Sequence, residues 1–295
     1  MHIKHIVMSS GTLNGVDLVG ALFEAENKEL IKYENIKTLT GCSAGAIISL
    51  VWLLRFDKDI VYDYIINKPW NKTFKNKKYI SDIINNKGVL NKQYILDMFT
   101  TFFKADSLDI NMTMLDLYNK TNITFNVVAT KLNNLKTICI SHKTYPTLSV
   151  LDAVYMSGSL PLVMTPIYHE DSFIIDGAFS DGYPVKCCID NTGLDGNDTL
   201  DKSEILGFRI IRNYKLQIDE DCNTLEYISC IMNNMIRKYQ DINLIKIDNE
   251  INIRTDNKSH TTESMLNDPN TRKEMLENGE KATNDFLNNR CKKFV

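Results

Sequence analysis

Hydrophobic positions along the chain fall into short apolar runs and longer stretches with helical spacing. The first run, at positions 3–8, is apolar enough for a buried strand, and apolar residues at helical spacing follow from Val16 to Phe23. A second short strand is predicted around 36–39, and an apolar helix at 44–54 follows a glycine-containing turn. Strand, turn and helix, taken twice, are typical of a parallel sheet with crossover helices.

The remainder of the chain continues this mixture of strands and helices. Strands predicted at 123–130 and 136–142 are joined by the turn residues Asn133 and Asn134, which indicates a hairpin. Further predicted elements are helices at 91–103, 149–157 and 225–240, strands at 172–176 and 204–211, and a last helix from near Asn270. We expect the methionines of the 225–240 helix to pack in the core. No internal repeat or proline-rich linker divides the chain, so we expect one α/β domain.

Charge and hydropathy narrow the range of partners. The chain of 295 residues has a formal net charge of −3, which gives no reason to expect nucleic acid as a partner. The dense basic cluster Lys75–Lys78 is interpreted as a solvated loop. The N-terminus is too charged for a signal peptide, and no stretch reaches the roughly 18 apolar residues of a membrane span. We therefore expect a soluble, intracellular protein, and a transient contact with a membrane surface stays open.

The cysteines give no sign of a disulfide framework or a metal site. There are seven, an odd number, and no two are spaced as C-x-x-C. Cys187 and Cys188 are adjacent, which suits neither a usual disulfide nor a zinc site. We expect all seven to be reduced thiols.

Ser43 lies in a G-x-S-x-G match, between Gly41 and Gly45, with the small residues Cys42 and Ala44 beside it. A nucleophile must project from its backbone, and a sharp turn from strand to helix achieves this only with small neighbours. The following helix points its unpaired N–H groups and the positive end of its dipole at the turn. A purely structural turn is the alternative, but the predicted strand before and helix after favour a nucleophile.

A serine nucleophile needs a group that accepts its proton, and the histidines are poor candidates. The chain has five histidines: His2, His5, His142, His169 and His260. Only His260 fits the chain order of Ser–acid–His esterases, and its polar surroundings are typical of a surface loop, which disfavours that class. The other candidate base is Asp176, at the carboxyl end of a predicted buried strand and directly before Gly177, where α/β folds place their sites. Asp-Gly is also a common turn pair, so the position alone does not decide.

Together, Ser43 in "GCSAG" and Asp176 in "DGA" resemble the paired motifs of the patatin-like phospholipases, which hydrolyse acyl esters of lipids with a Ser–Asp dyad. The resemblance extends from near residue 5 to near residue 290, with its motifs in the family's order. The other segments that carry it are the first loop and helix at 9–22, the stretch at 157–167 before the Asp strand, its continuation at 176–185, and the last helix at 267–287.

The resemblance implies a three-layer α/β fold, a single patatin-like domain over 1–295 with a mostly parallel central sheet and helices on both faces. It implies a lipid ester as substrate, with Ser43 attacking the acyl carbonyl and Asp176 accepting its proton and later activating water. Backbone N–H groups of Gly11, Thr12 and Ala44 would form the oxyanion hole. The small residues that support the motifs are Gly15, Gly41, Gly45, Gly177 and Ala178. No metal or organic cofactor is implied.

The first loop departs from the family pattern. The family sequence is G-G-G-x-R-G, whereas positions 10–15 read Ser-Gly-Thr-Leu-Asn-Gly, so two glycines and the basic residue are replaced. Glycine permits a positive φ and a close approach to substrate, while the β-branched Thr12 would be strained there. A non-catalytic member that binds lipid or a partner is therefore the second interpretation, and the intact Ser43 and Asp176 argue against it.

Overall fold

The computed structural model describes residues 2–74, 79–192, 201–212, 218–242, 244–255 and 262–291. Its strands are β1 (His5–Met8), β2 (Thr38–Cys42), β3 (Gly88–Leu90), β4 (Thr124–Lys131), β5 (Lys136–Ile140), β6 (Leu162–Met164), β7 (Ile167–His169), β8 (Ser172–Asp176), β9 (Ile205–Arg212) and β10 (Asn249–Thr255). Its helices are α1 (Gly15–Asn27), α2 (Ala44–Leu53), α3 (Lys58–Asn67), α4 (Tyr79–Asn86), α5 (Gln93–Ala105), α6 (Met114–Thr121), α7 (Val150–Ser157), α8 (Ala178–Asp181), α9 (Val185–Thr192), α10 (Thr224–Ile242), α11 (Thr262–Asn267) and α12 (Pro269–Cys291).

The central sheet has the strand order β10-β9-β1-β2-β4-β8-β7, with β5 also paired to β4. All pairs from β10 to β4 are parallel, whereas β5 and β8 pair with β4 in the antiparallel sense and β7 does so with β8. This arrangement confirms the predicted mostly parallel α/β sheet. The predicted β4–β5 hairpin is also confirmed.

Strand β1 shows why helices cover both faces of the sheet. Side chains alternate along a strand, so neighbours point to opposite faces. Ile6 and Met8 belong to the main hydrophobic core, whereas Val7 packs with Cys188 and Ile205 in a separate cluster on the other face. All of these side chains are buried, which is the pattern of a parallel strand covered on both sides.

Helices α1 and α12 pack closely along one of these faces. A Cβ atom added at Gly20 would overlap the Leu276 carbonyl, and one added at Gly279 would overlap the Asp17 carbonyl. The Thr283 hydroxyl donates to the Ala21 carbonyl oxygen at 3.0 Å. The two glycines thus allow the helix backbones to approach each other, and α12 holds α1, the helix that follows the first loop.

Three sequence expectations concern other parts of the fold. The cysteines were expected to be reduced thiols, but the structure pairs Cys139 with Cys187, which is a correction. The two residues are 48 apart in sequence, and their pairing depends on how α9 packs beside β5, so no spacing motif announces it. Met235 was expected in the core and is 65% exposed. The basic cluster Lys75–Lys78 lies outside the described residues.

Helix length and hydropathy bear on membrane insertion. Of the helices in the described part of the chain, none is both long enough and apolar enough to cross a bilayer.

Candidate active site

Ser43 occupies the sharp turn between the end of β2 and the start of α2. Its backbone has φ 54° and ψ −124°, a conformation that non-glycine residues seldom adopt. The turn is closed by neighbours without side chains, because a Cβ atom at Gly45 would lie 2.5 Å from the Ser9 carbonyl oxygen. Strain of this kind persists only where surrounding structure fixes it, and it projects the serine from the sheet edge.

Asp176 ends β8 and faces Ser43 directly. The Ser43 hydroxyl donates to Asp176 Oδ2 at 2.6 Å, and the Ala178 N–H donates to the other carboxylate oxygen, Oδ1, at 2.8 Å. The strand is placed for this by its antiparallel register with β4, where Asp176 pairs with Ala129. Gly177 passes so close to the Val128 carbonyl that a Cβ atom there would overlap it. The structure therefore brings together the two residues that the sequence motifs single out.

Burial dominates the ionisation of the Asp176 carboxyl. The side chain is 2% exposed, and loss of hydration raises its pKa to about 6. The hydrogen bonds from the Ser43 hydroxyl and the Ala178 N–H and the positive charge of Arg212 act in the opposite direction. A carboxylate with a pKa near neutrality accepts a proton more readily than an ordinary aspartate, which suits a general base.

The first loop lies against the start of α2. A short 3-10 turn at Thr12–Asn14 follows Gly11, and the Asn14 N–H donates to the Gly11 carbonyl oxygen at 3.0 Å. Gly15 contacts Ala44, since a Cβ atom on Gly15 would lie 2.8 Å from the Ala44 Cβ. The backbone segments predicted to form the oxyanion hole are thus neighbours at the same sheet edge.

Residues 6–189 match the family described as Patatin-like phospholipase. The chain belongs to the patatin-like phospholipase family.

Two viral proteins are similar in sequence to this patatin-like chain. It is 25% identical over 189 residues to "Probable lipid hydrolase 463L" of Invertebrate iridescent virus 6, covering 64% of each chain. It is 28% identical over 192 residues to "Uncharacterized protein R571" of Acanthamoeba polyphaga mimivirus, covering 62% of this chain and 60% of that one. The alignments therefore span less than two thirds of each relative.

A solved structure shares the patatin-like fold. VipD from Legionella pneumophila matches with a TM-score of 0.56 and 16% sequence identity, over 98% of this chain and 67% of that chain. At that identity the likeness shows the fold alone.

Thr12 shows how this patatin-like chain accommodates its altered first loop. Its φ of 48° is the left-handed conformation for which glycine is favoured, as the replacement of glycine predicted. The Thr12 hydroxyl donates to the Gly11 carbonyl oxygen at 2.7 Å, a local bond that partly offsets the strain.

Sequence reasoning missed Ser157, the last residue of α7. Its hydroxyl accepts the Ser43 N–H at 2.8 Å and donates to the Val128 carbonyl oxygen at 2.5 Å. Ser157 thus ties the Ser43 turn to β4. The sequence shows Ser157 only as a hydroxyl in the small-residue stretch "SGS". Its partner, Ser43, is 114 residues away, so the sequence does not indicate the contact.

Three of the described histidines contact residues outside the Ser43–Asp176 pair. His5 is buried at the start of β1, bonds to the Thr38 hydroxyl at 2.8 Å, and burial lowers its pKa to about 4. His142 stacks on the Tyr118 ring, with ring centroids 3.7 Å apart. His169 lies at the end of β7, with its Nε2 3.9 Å from Glu170. His260 lies outside the described residues, so its predicted place as an alternative base has no structural description.

A cavity of about 150 Å³ opens beside the first loop. Ser9 and Ser10 line it together with Ser180 and Asp181 from α8, the helix that begins two residues after Asp176. Arg212, from the end of β9, lines it as well. The cavity therefore borders two of the segments on which the dyad depends.

Proposed function

We propose that this chain hydrolyses carboxylic esters of lipids, using Ser43 as nucleophile and Asp176 as general base within one patatin-like domain. The 2.6 Å hydrogen bond from the Ser43 hydroxyl to the Asp176 carboxylate carries this proposal. Membership of a family that acts on lipid substrates, and the name of the iridescent-virus relative, support the lipid class. The substrate is thus a lipid ester, and the chemistry is acyl transfer to water.

In the acylation step, the Ser43 oxygen attacks the acyl carbonyl while Asp176 takes the hydroxyl proton. The tetrahedral intermediate then expels the alcohol, which receives that proton from Asp176, and the acyl group stays on Ser43. In the second step Asp176 accepts a proton from water, the resulting hydroxide attacks the acyl-enzyme, and the released Ser43 oxygen recovers the proton. The dyad returns to its starting state with one ester bond broken.

The negative charge on the attacked carbonyl oxygen needs donors, and backbone groups are the proposed source. The proposed donors are the N–H groups of Gly11 and Thr12 in the first loop and that of Ala44, the first residue of α2. The α2 dipole adds to the effect at this helix start. Loss of one such donor typically lowers the rate on the order of 10²- to 10³-fold.

Serine-directed labelling and turnover test the assignment. A fluorophosphonate probe should label the parent protein, and Ser43→Ala should abolish both labelling and hydrolysis of a p-nitrophenyl ester. Asp176→Asn should reduce turnover nearly as far, because no acceptor for the proton remains. The matched control is His169→Ala, which removes a histidine outside the dyad and should keep parental turnover.

The alternative is a non-catalytic family member that binds lipid or a partner, and the strained Thr12 in the first loop is the observation that favours it. A folded parent protein that neither reacts with the probe nor turns over any of several phospholipids, lysolipids and triacylglycerols would establish that alternative. Loss of turnover in His169→Ala would instead point to a histidine base.

A further inference from the structure

Strand pairing ends just before the Ser43 turn. The register of β2 with β4 runs to Cys42, which lies opposite Val128, so Ser43 is the first residue beyond the paired strand. Its backbone then turns away from the strand with the φ of 54° that non-glycine residues seldom adopt. Strand pairing therefore does not fix this turn, and its position depends on other contacts.

The side chain of Ser157 makes one such contact. Its hydroxyl accepts the Ser43 N–H at 2.8 Å and donates its own hydrogen to the Val128 carbonyl oxygen at 2.5 Å. The residue is completely buried, so both bonds are shielded from bulk water. One hydroxyl thus joins the Ser43 turn to the neighbouring strand β4, since it can donate and accept at the same time.

The main chain of Ser157 holds the strand end on the Asp176 side. The register of β8 with β4 ends at Asp176, and Gly177 is the first residue beyond it. The Gly177 N–H donates to the Ser157 carbonyl oxygen at 3.1 Å, and the Asp176 N–H donates to that of Ser159 at 3.0 Å. Ser157 therefore bonds both to the turn that carries Ser43 and to the strand end that carries Asp176.

We propose that Ser157 is a positioning residue of the dyad, which sets the distance between the Ser43 hydroxyl and the Asp176 carboxylate by holding both backbone segments. This inference rests on the proposed function. Ser157 contacts main-chain groups and none of the reacting atoms, so it acts through the placement of the other two residues. The result of that placement is the 2.6 Å hydrogen bond between them.

The bond to Ser157 also separates the N–H groups of the turn by their roles. An N–H has one hydrogen to donate, so that of Ser43 is committed to Ser157. The next N–H, that of Ala44 at the start of α2, is the one that the proposed oxyanion hole uses. Loss of the Ser157 hydroxyl would release the Ser43 N–H, and the turn would move together with the nucleophile and this donor.

Ser157→Ala should therefore lower the chemical rate with little effect on substrate binding. The variant removes the partner of the Ser43 N–H, so the turn shifts relative to Asp176, and a displacement of about 1 Å can lower a rate about 100-fold. We expect kcat for a p-nitrophenyl ester and the rate of fluorophosphonate labelling to fall about 10- to 100-fold. KM should stay near the parental value, because a completely buried side chain does not contact the substrate.

Ser172→Ala is the matched control for loss of a buried hydroxyl. The Ser172 hydroxyl has the same bonding pattern, because it accepts the Asn133 N–H at 3.2 Å and donates to the Phe173 carbonyl oxygen at 3.1 Å. It is 3% exposed at the start of β8, about 13 Å along the strand from Asp176. This variant should keep the parental kcat. Ser157→Thr, which retains a hydroxyl, should restore most of the rate.

Amide hydrogen exchange tests the contact without turnover. In Ser157→Ala the exchange of the Ser43 amide should accelerate about tenfold more than that of the β2 amides, since one hydrogen bond is lost locally. In Ser172→Ala it should keep the parental rate. A parental kcat or an unaccelerated Ser43 amide in Ser157→Ala overturns the proposed role, and so does an equal fall of kcat in Ser172→Ala.

Ser157→Cys gives the same comparison if Ser157→Ala does not fold. A cysteine fills the space of the serine, but its thiol is a weak donor and acceptor, so kcat should fall in this variant also. A parental kcat in Ser157→Cys would contradict the role of the hydroxyl. If the parent protein neither labels nor turns over ester, the proposed function fails, while faster Ser43 exchange confined to the Ser157 variants still establishes that Ser157 holds the turn.

Discussion

Asp176 combines almost complete burial with a charge that the proposed reaction needs. A buried carboxylate loses its hydration, and the bonds from the Ser43 hydroxyl and the Ala178 N–H, with the positive charge of Arg212, compensate for part of this loss. The elevated pKa shows that the folded protein holds a proton on Asp176 more tightly than an unfolded chain does. Burial of Asp176 therefore lowers the stability of the folded protein at neutral pH, and it gives the carboxylate the raised pKa that suits a general base.

This balance predicts that Asp176→Asn is more stable than the parent at neutral pH. The folded-state pKa of about 6 exceeds the ordinary 3.8, so Asp176 favours folding below pH 3.8 and that contribution is lost as pH rises through 6. An asparagine does not ionise, its Oδ1 can accept from the Ala178 N–H, and its amide N–H can donate to the Ser43 hydroxyl oxygen. We expect a gain of about 2 to 3 kcal/mol in the free energy of unfolding at pH 7.

Urea unfolding of both proteins at several pH values measures this gain. The difference between them should shrink toward zero near pH 4. A gain that is the same at pH 4 and pH 7 would contradict the ionisation argument.

Short motifs made the pairing of Ser43 with Asp176 predictable, whereas the residues around this pair depend on the register of distant strands. Ser43 and Asp176 each lie within a short local pattern of glycine and apolar residues that by itself resembles a motif of the family. Arg212 meets Thr12 across 200 residues of sequence, and nothing near Arg212 indicates that β9 pairs beside β1. From the sequence alone, Arg212 is an arginine at the end of a predicted strand, and only the sheet order places it beside the first loop.

At the level of elements, Gly20 and Gly279 allow the backbones of α1 and α12 to come into direct contact. The sequence predicted the last helix from near Asn270 but not the partner against which it packs. Strand β10 was not predicted either, since the polar residues of "NEINIRT" mask its buried Ile251 and Ile253. Helical periodicity identifies an element, while a glycine that faces another helix is visible only in the assembled structure.

The glycine contact predicts a specific destabilisation. Gly279→Ala places a methyl group against the Asp17 carbonyl of α1, and the helices must separate. Alanine has the better helix propensity, so any loss comes from the contact itself. We expect a decrease of about 1 to 3 kcal/mol in the free energy of unfolding.

Gly158→Ala is the matched control. Gly158 follows α7 with φ −99°, and an added Cβ would lie an ordinary 3.5 Å from the Val154 carbonyl oxygen. Chemical denaturation should therefore find this variant close to the parent. Equal effects of the two substitutions would show that the α1–α12 contact is not the cause.

Over the whole molecule, the outer face of α10 stands out for exposed apolar side chains. Four of them recur every fourth residue, with exposed fractions of 42 to 65%: Tyr227, Ile231, Met235 and Tyr239. The helix lies next to the site, because the Gln240 amide contacts the Ala178 carbonyl oxygen at 3.5 Å. This apolar stripe lies beside the proposed lipid-ester site, and we predict the transient membrane contact there.

The double variant Ile231→Ser/Met235→Ser should separate membrane contact from chemistry. Binding to phosphatidylcholine vesicles, measured by cosedimentation, should weaken about tenfold, since two partly inserted apolar side chains are lost. Hydrolysis of a soluble short-chain p-nitrophenyl ester should be unchanged.

Ile60→Ser provides the control, because Ile60 is 60% exposed on α3, a helix that packs on α12 instead. Vesicle binding should keep its parental strength in this variant. An equal loss in both proteins would indicate a general effect of surface hydrophobicity, and no loss in either would place the membrane contact elsewhere.

The bond between Thr283 and Ala21 joins residues that are 262 positions apart, and this has a consequence for synthesis on the ribosome. Helix α1 leaves the exit tunnel with apolar side chains such as Leu18 and Leu22 well before α12, which covers it, has been translated. Strand β1 likewise waits for β9 before both of its edges are paired. Such non-local contacts form slowly, and the nascent chain holds uncovered apolar surface in the interval. The first loop, anchored between β1 and α1, therefore reaches its final place only after α12 has been translated, and the proposed hydrolase activity should not arise before then.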